Sequence, residues 1–153
     1  MELLLISHYN IKVKYQISQL QINNDLEDTW YNFKPHSLGS YKQVFFRIIL
    51  TDNTTLYFIL KNVFISNLNN EIVIRFSDKF SIYKQSSDES QSFIENKRKL
   101  SELKREIKYY KAINDLDISN ESRTNLTILE SKLFELMAIV YFNLEKQEDK
   151  DEK

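Results

Sequence analysis

FIENKRKLSELKREIKYYKAINDLDISNESRTNLTILESKLFELMAIVYFNL, residues 93–144, is where the hydrophobic pattern turns from strand-like to helical and stays helical for two long segments. In the first, Phe93, Leu100, Leu103, Ile107 and Tyr110 recur at helical spacings and so share one stripe. The run NDLDISN, residues 114–120, breaks the pattern, and Ser119 or Asn120 can cap the second segment. In that segment Leu126, Leu129, Leu133, Leu136, Met137, Val140 and Leu144 line one stripe. Two such stripes joined by a short polar link predict an antiparallel hairpin of helices. The polar run QSSDESQS, residues 85–92, precedes the pair, and the capping-box pairs Ser86 with Glu89 or Ser92 with Glu95 place its start at 88–92.

The second helix carries more apolar surface than one partner covers. Phe134, Ala138 and Tyr141 project to a second side, Ile128 and Ile139 to a third, and between residues 133 and 142 only Glu135 is charged. A helix apolar nearly all round needs cover nearly all round. Two covers are open: the rest of the chain, or a second copy meeting it through Phe134, Ala138, Tyr141 and Phe142.

Upstream the period is two. Residues 3–6 (LLLI) read as a short strand, and Ile11, Val13, Tyr15 and Ile17 alternate with polar residues as in a half-buried one. Leu20 and Ile22 then fall out of phase, so a bulge near Ser18 and Gln19 is needed to keep both sets on one face. Residues 24–33 start acidic and turn aromatic, which suits a short capped helix or a turn. The only proline and only glycine come next in PHSLG, residues 35–39, the clearest irregular loop. From 43 to 83 strand succeeds strand (44–50, 56–65, 72–76, 80–83), with hairpin connectors at 51–55, 67–70 and 77–79. The expected fold is α+β: an antiparallel meander of four to six strands over residues 1–85, a helical hairpin over 86–147 packed on the sheet or a second protomer, and a charged tail at 148–153.

Composition excludes several chemistries. Zero cysteines remove disulfides, thiolate metal sites and cysteine nucleophiles. One glycine in 153 residues leaves nothing from which to build a phosphate-cradling loop, a dinucleotide fingerprint or a nucleophile elbow. Turns then fall to Asn, Asp and Ser. Neither a signal peptide nor a membrane span is expected, since the longest uncharged apolar run, 136–142, is far short of the ~20 residues a bilayer needs. A cytoplasmic location is the expectation.

Charge is unevenly placed. Residues 91–114 carry seven Lys and Arg against three Glu, while residues 115–153 carry five against ten acids. On a helical wheel Lys97, Lys104, Lys108 and Lys111 form one flank of the first stripe with Arg98 and Arg105 beside them, and Glu95, Glu102 and Glu106 occupy the opposite flank. Such a basic face, with Tyr109 as an anchoring aromatic, suits an acidic protein surface or a phosphate backbone. A solvated flank shielding the seam is the plain structural reading.

The other candidates have structural readings of equal or greater weight. His8 and His36 lack ligand spacing. Asp25, Glu27 and Asp28, like Asp115 and Asp117, stand where turns and helix ends favour acids. Asn53, Asn120 and Asn125 head Asn-x-Ser/Thr triplets that an Asn-rich chain produces by chance. Trp30, Tyr31 and Phe33 form either a core plug or a recognition patch. No catalytic, cofactor or metal site is expected. The expected function is non-enzymatic binding of a protein partner that is acidic at the contact, in the manner of a small phage- or plasmid-type inhibitor of a host enzyme. The alternative is a nucleic-acid-binding regulatory dimer using the same basic face.

Overall fold

The structure is a computed structural model that describes residues 1–77, 79–116 and 120–147. The order of elements is β1 (Glu2–Ser7), β2 (Lys12–Asn23), β3 (Tyr31–Asn32), β4 (Ser37–Leu50), β5 (Thr55–Leu68), β6 (Glu71–Ser77), β7 (Tyr83–Gln85), α1 (Gln91–Leu116), α2 (Asn120–Tyr141) and β8 (Leu144–Lys146). The chain is thus mixed α+β. Its described residues fall into two compact units, one within Met1–Lys84 together with Lys146 and Gln147, the other within Gln85–Glu145.

In the first unit β1 pairs antiparallel with β2, β2 with β4, β4 with β5 and β5 with β6, and β6 returns to β1 in parallel. The sheet is therefore a closed five-stranded barrel of mixed orientation, not the plain antiparallel meander expected from sequence. The reason is arithmetic: in an odd meander the first and last strands point the same way, so the ladder that closes it has to be parallel. Closure also settles β1. Its Leu3 and Leu5 are fully buried and its outward Ile6 is buried too, a strand too apolar to be left as a free edge.

Side chains fill the barrel. Leu3 and Leu5 of β1, Ile17, Leu20 and Ile22 of β2, Val44, Phe46 and Ile48 of β4, Leu56, Phe58, Leu60, Val63 and Ile65 of β5, and Ile72, Ile74 and Phe76 of β6 form one cluster. Phe46 and Phe58 stack in it with centroids 5.1 Å apart. Tyr15, Leu50, Phe80 and Ile82, and separately Phe33 and Tyr41, pack against this core from its margins.

Strands of 12 and 14 residues close so tight a ring only by bending, and the bends are bulges. In β2 the register with β4 slips between Ile17 and Gln19, where the sequence required it, so that Ile17 and Leu20 both face inward. In β5 the slip against β6 lies between Lys61 and Phe64, around Asn62 at φ 51°, and it turns both Leu60 and Val63 inward.

The remaining differences from the sequence reading lie in the connections. At residues 24–28 the turn, of the helix or turn expected there, is the one formed: the buried Asn23 accepts the Leu26 N–H at 2.7 Å and donates to the Glu27 carbonyl at 2.6 Å, which holds the chain out of helical geometry. The loop before β4 ends at His36, and Leu38 and Gly39 already belong to the strand. Phe80 is a core-packing residue in a connection, and the next strand starts only at Tyr83. The third connector includes residue 78, outside the described residues, as are Asp117, Ser119, the Asn120 side chain and the tail at 148–153.

In the second unit Ser90 caps α1, its hydroxyl accepting the Phe93 N–H at 3.2 Å, so neither expected capping box is used. The α1 stripe is buried at Leu100, Leu103 and Ile107. α2 ends before Leu144 because Asn143 takes φ 47°, and its side-chain amide donates to the Ser86 and Asp88 carbonyls at 3.0 and 2.9 Å.

Candidate interaction surfaces

The basic flank of α1 is solvent-facing along its length: Lys97, Lys104, Arg105, Lys108 and Lys111 are all exposed. None of these five has an ion-pair partner among the described residues. Arg98 is the exception. It spans Glu95, three residues before it, and Glu102, four after it, and so belongs to the acidic flank and not to the unbroken basic face that the wheel suggested. The hydrogen bond from Arg98 holds the Glu95 carboxyl below its ordinary value, and the same two carboxylates push the guanidinium up.

Two tyrosines border the flank. Tyr109 is 63% exposed, with its ring edge-on to Tyr110 at 5.7 Å. Tyr141 of α2 is 50% exposed, and Lys104 reaches it, Nζ lying 3.5 Å from the hydroxyl and 5.9 Å from the ring centroid. Across the seam an open groove of about 360 Å³ has Leu103, Leu136 and Ile139 as its floor and Lys99, Glu106 and Lys132 among its rim. Lys99 and Lys132 face Glu102, Glu106 and Glu135 around it, so its charges are mixed.

The four residues expected at a dimer contact on α2 separate. Ala138 and Phe142 are buried within the single chain, which removes them as surface for a second copy. Phe134 is half-buried, and Tyr141 with Ile128 remains half-exposed. His8 and His36 are exposed. Among the described residues no group of three His, Cys, Asp or Glu comes together in a way that could hold a metal.

The aromatic trio is also divided. Phe33 packs on the barrel core, while Tyr31 is 52% exposed. Trp30 lies on the outer surface, edge-on to Phe45 at 5.2 Å and to Tyr57 at 5.9 Å, with Arg47 at 4.0 Å over its ring. Gln21 accepts from Arg47 Nε at 2.7 Å and donates to Asn32 at 3.0 Å, so a polar chain crosses three strands beside the indole. Every member points to a neighbour, which makes this a clamp on the loop ahead of β3.

One surface escapes a reading of the sequence. Leu38, Phe64 and Leu68 stand 64%, 43% and 46% exposed on the outside of the barrel. By pattern Leu38 belongs to the irregular loop, and Phe64 to an unbroken inward alternation that the bulge at Asn62 reverses. Only the cross-strand register brings the three together.

No helix among the described residues is long and apolar enough to cross a membrane. No curated protein matches the chain. Residues 2–81, which stop just short of the end of the first compact unit, match the UU051 N-terminal domain, and on that match the chain belongs to the UU051 N-terminal domain family.

Proposed function

We propose that the chain is a non-enzymatic interaction protein that receives an acidic surface of a protein partner on the basic flank of α1. The observation that supports this best is the row of exposed cations without counter-ions, Lys97, Lys104, Arg105, Lys108 and Lys111, on one side of a 26-residue helix. Such a row steers an acidic partner during approach and fixes its orientation on contact. Tyr109 supplies an amphipathic anchor within the row. An overall charge of −1 favours a protein over a nucleic acid, whose affinity draws on many cationic contacts at once. Inhibition of a host enzyme in the cytoplasm, by a protein of phage or plasmid type, is the form of docking we propose.

The test uses the full chain and its K104E/K108E/K111E variant as parallel baits in extract of the source cells, at about 50 and about 300 mM salt, where screening differs. The expected result is a protein enriched by wild type, lost with the variant and reduced at high salt. Equal capture by both baits contradicts the reading. Nucleic acid retained by wild type alone favours the regulatory alternative.

A further inference from the structure

The outer face of the barrel is self-complementary, and we infer that it is a docking surface for a second copy of this chain. The inference is independent of the α1 flank. Cross-strand partners point to the same side of a sheet, so register alone lays out the surface. Leu3 and Leu5 of β1 and Ile72, Ile74 and Phe76 of β6 face inward, which turns Glu2, Leu4 and Ile6, and Glu71, Val73 and Arg75, outward. In β5 the bulge at Asn62 puts Phe64, Ser66 and Leu68 on the same outer side, and in β4 Leu38 joins them opposite Ser66.

The face then reads as three rows. The middle row is Leu4, Val73, Ser66 and Leu38, each opposite the next. On one side of it lie the exposed Arg75 and Phe64 beside the buried Ile6, and on the other the exposed Glu71 and Leu68 beside Glu2, which Lys14 pairs at 3.6 Å. Each outer row sits two residues from the middle. Turning the face by 180° about the middle row therefore exchanges the outer rows strand by strand. Arg75 comes over Glu71 of the partner subunit, and Phe64 over Leu68 of the partner subunit, each contact formed twice. Leu38 and Val73 lie on the axis and meet their own copies.

The charges also select that axis. A two-fold along β6 would set Arg75 on its own copy and Glu71 on its own copy, and like charges in contact are costly. Neither Arg75 nor Glu71 has an ion-pair partner among the described residues, so both are available across an interface. At strand spacings of ~4.8 Å and a rise of ~3.3 Å per residue the patch measures roughly 15 by 15 Å. That is well under the ~800 Å² per partner of a standard interface. The dimer is accordingly weak and salt-sensitive.

Sedimentation velocity on the full chain between roughly 5 and 500 µM, which brackets dissociation constants in the micromolar range, tests this. Wild type is expected to move from monomer towards dimer, less so at high salt. Arg75→Glu sets acid against Glu71 of the partner subunit and is expected to raise the dissociation constant at least ~10-fold. The double exchange Arg75→Glu with Glu71→Arg restores opposite charges and is expected to return it to within about 3-fold of wild type. Restoration by a second substitution cannot come from a folding defect. A monomer at every concentration, a dimer indifferent to Arg75→Glu, or a double exchange that stays dissociated would each overturn the inference.

Discussion

Asn62 bends β5 with a left-handed backbone, φ 51°, while its side-chain amide donates to the Ser77 hydroxyl at 3.0 Å. Among the described residues, six of the eight non-glycine positions with positive φ are asparagines, at 10, 53, 62, 69, 70 and 143. For other L-residues that region costs roughly 1–2 kcal/mol. Asn62→Ala is therefore expected to lower stability by about 1–2 kcal/mol in urea unfolding, and Asn62→Gly by clearly less. The shortage of glycine made this substitution of Asn for Gly readable from sequence. The role of the one glycine was not readable. Gly39 has no positive φ; a Cβ there would come within 2.9 Å of the ring of Tyr41, two residues on in the same strand, and 3.2 Å of Phe33, a crowding that depends on how those two rings lie. The β4–β5 turn gives a pH prediction. Asp52 accepts the Thr54 N–H at 2.9 Å, and this bond with the Thr54 hydroxyl holds its carboxyl below the ordinary value of 3.8. A depressed carboxylate contributes stability that is complete above its unfolded value and lost as pH falls through the folded one. The melting temperature of wild type is thus expected to exceed that of Asp52→Asn at neutral pH, with the gap closing below pH 3.8.

Among the elements, those with many periods were legible and those with few were not. β2, with its bulge at Ser18, and β6 follow their alternation, β5 follows it only as far as Asn62, and α1 follows its stripe, whereas in α2 it is Ala138, off the stripe, that is buried. β3 has only Tyr31 and Asn32, too short to show a period, and exists because Phe33 N–H reaches the Leu20 carbonyl at 2.9 Å. The acidic start at 24–28 resembles a helix cap because Asp and Asn serve caps and turns by the same bonds. What those bonds secure is Trp30, whose indole N–H donates to Asp28 at 3.2 Å. As the only tryptophan, Trp30 reports on this element alone. Trp30→Ala is expected to cost about 2 kcal/mol, below the 3–5 of a fully buried aromatic because the ring is half-buried. Arg47→Ala, which removes the cation over the ring, is expected to cost about 1 kcal/mol and to shift the Trp30 emission maximum. An emission spectrum unchanged by Arg47→Ala would contradict the clamp.

For the whole molecule, the basic flank could be read from a wheel because charge on one helix is a local property. The allegiance of Arg98 is local too, since Glu95 three residues before it and Glu102 four after it are its neighbours on the helix surface. Closure of the barrel was the largest feature missed. It joins residues 2–7 to residues 71–77, and alternation within each strand carries no record of a partner so distant in sequence. The same ladder adds Leu4, opposite Val73, to the outer face that β4, β5 and β6 form. Amide-detected nuclear Overhauser contacts in the full chain test this directly. The structure requires contacts between β1 and β6 whose residue numbers rise together, from Glu2 with Glu71 to Ser7 with Phe76, and slow amide exchange along both edges of β1. Contacts in which one number rises as the other falls, or none at all with fast exchange along the β1 edge, would contradict it.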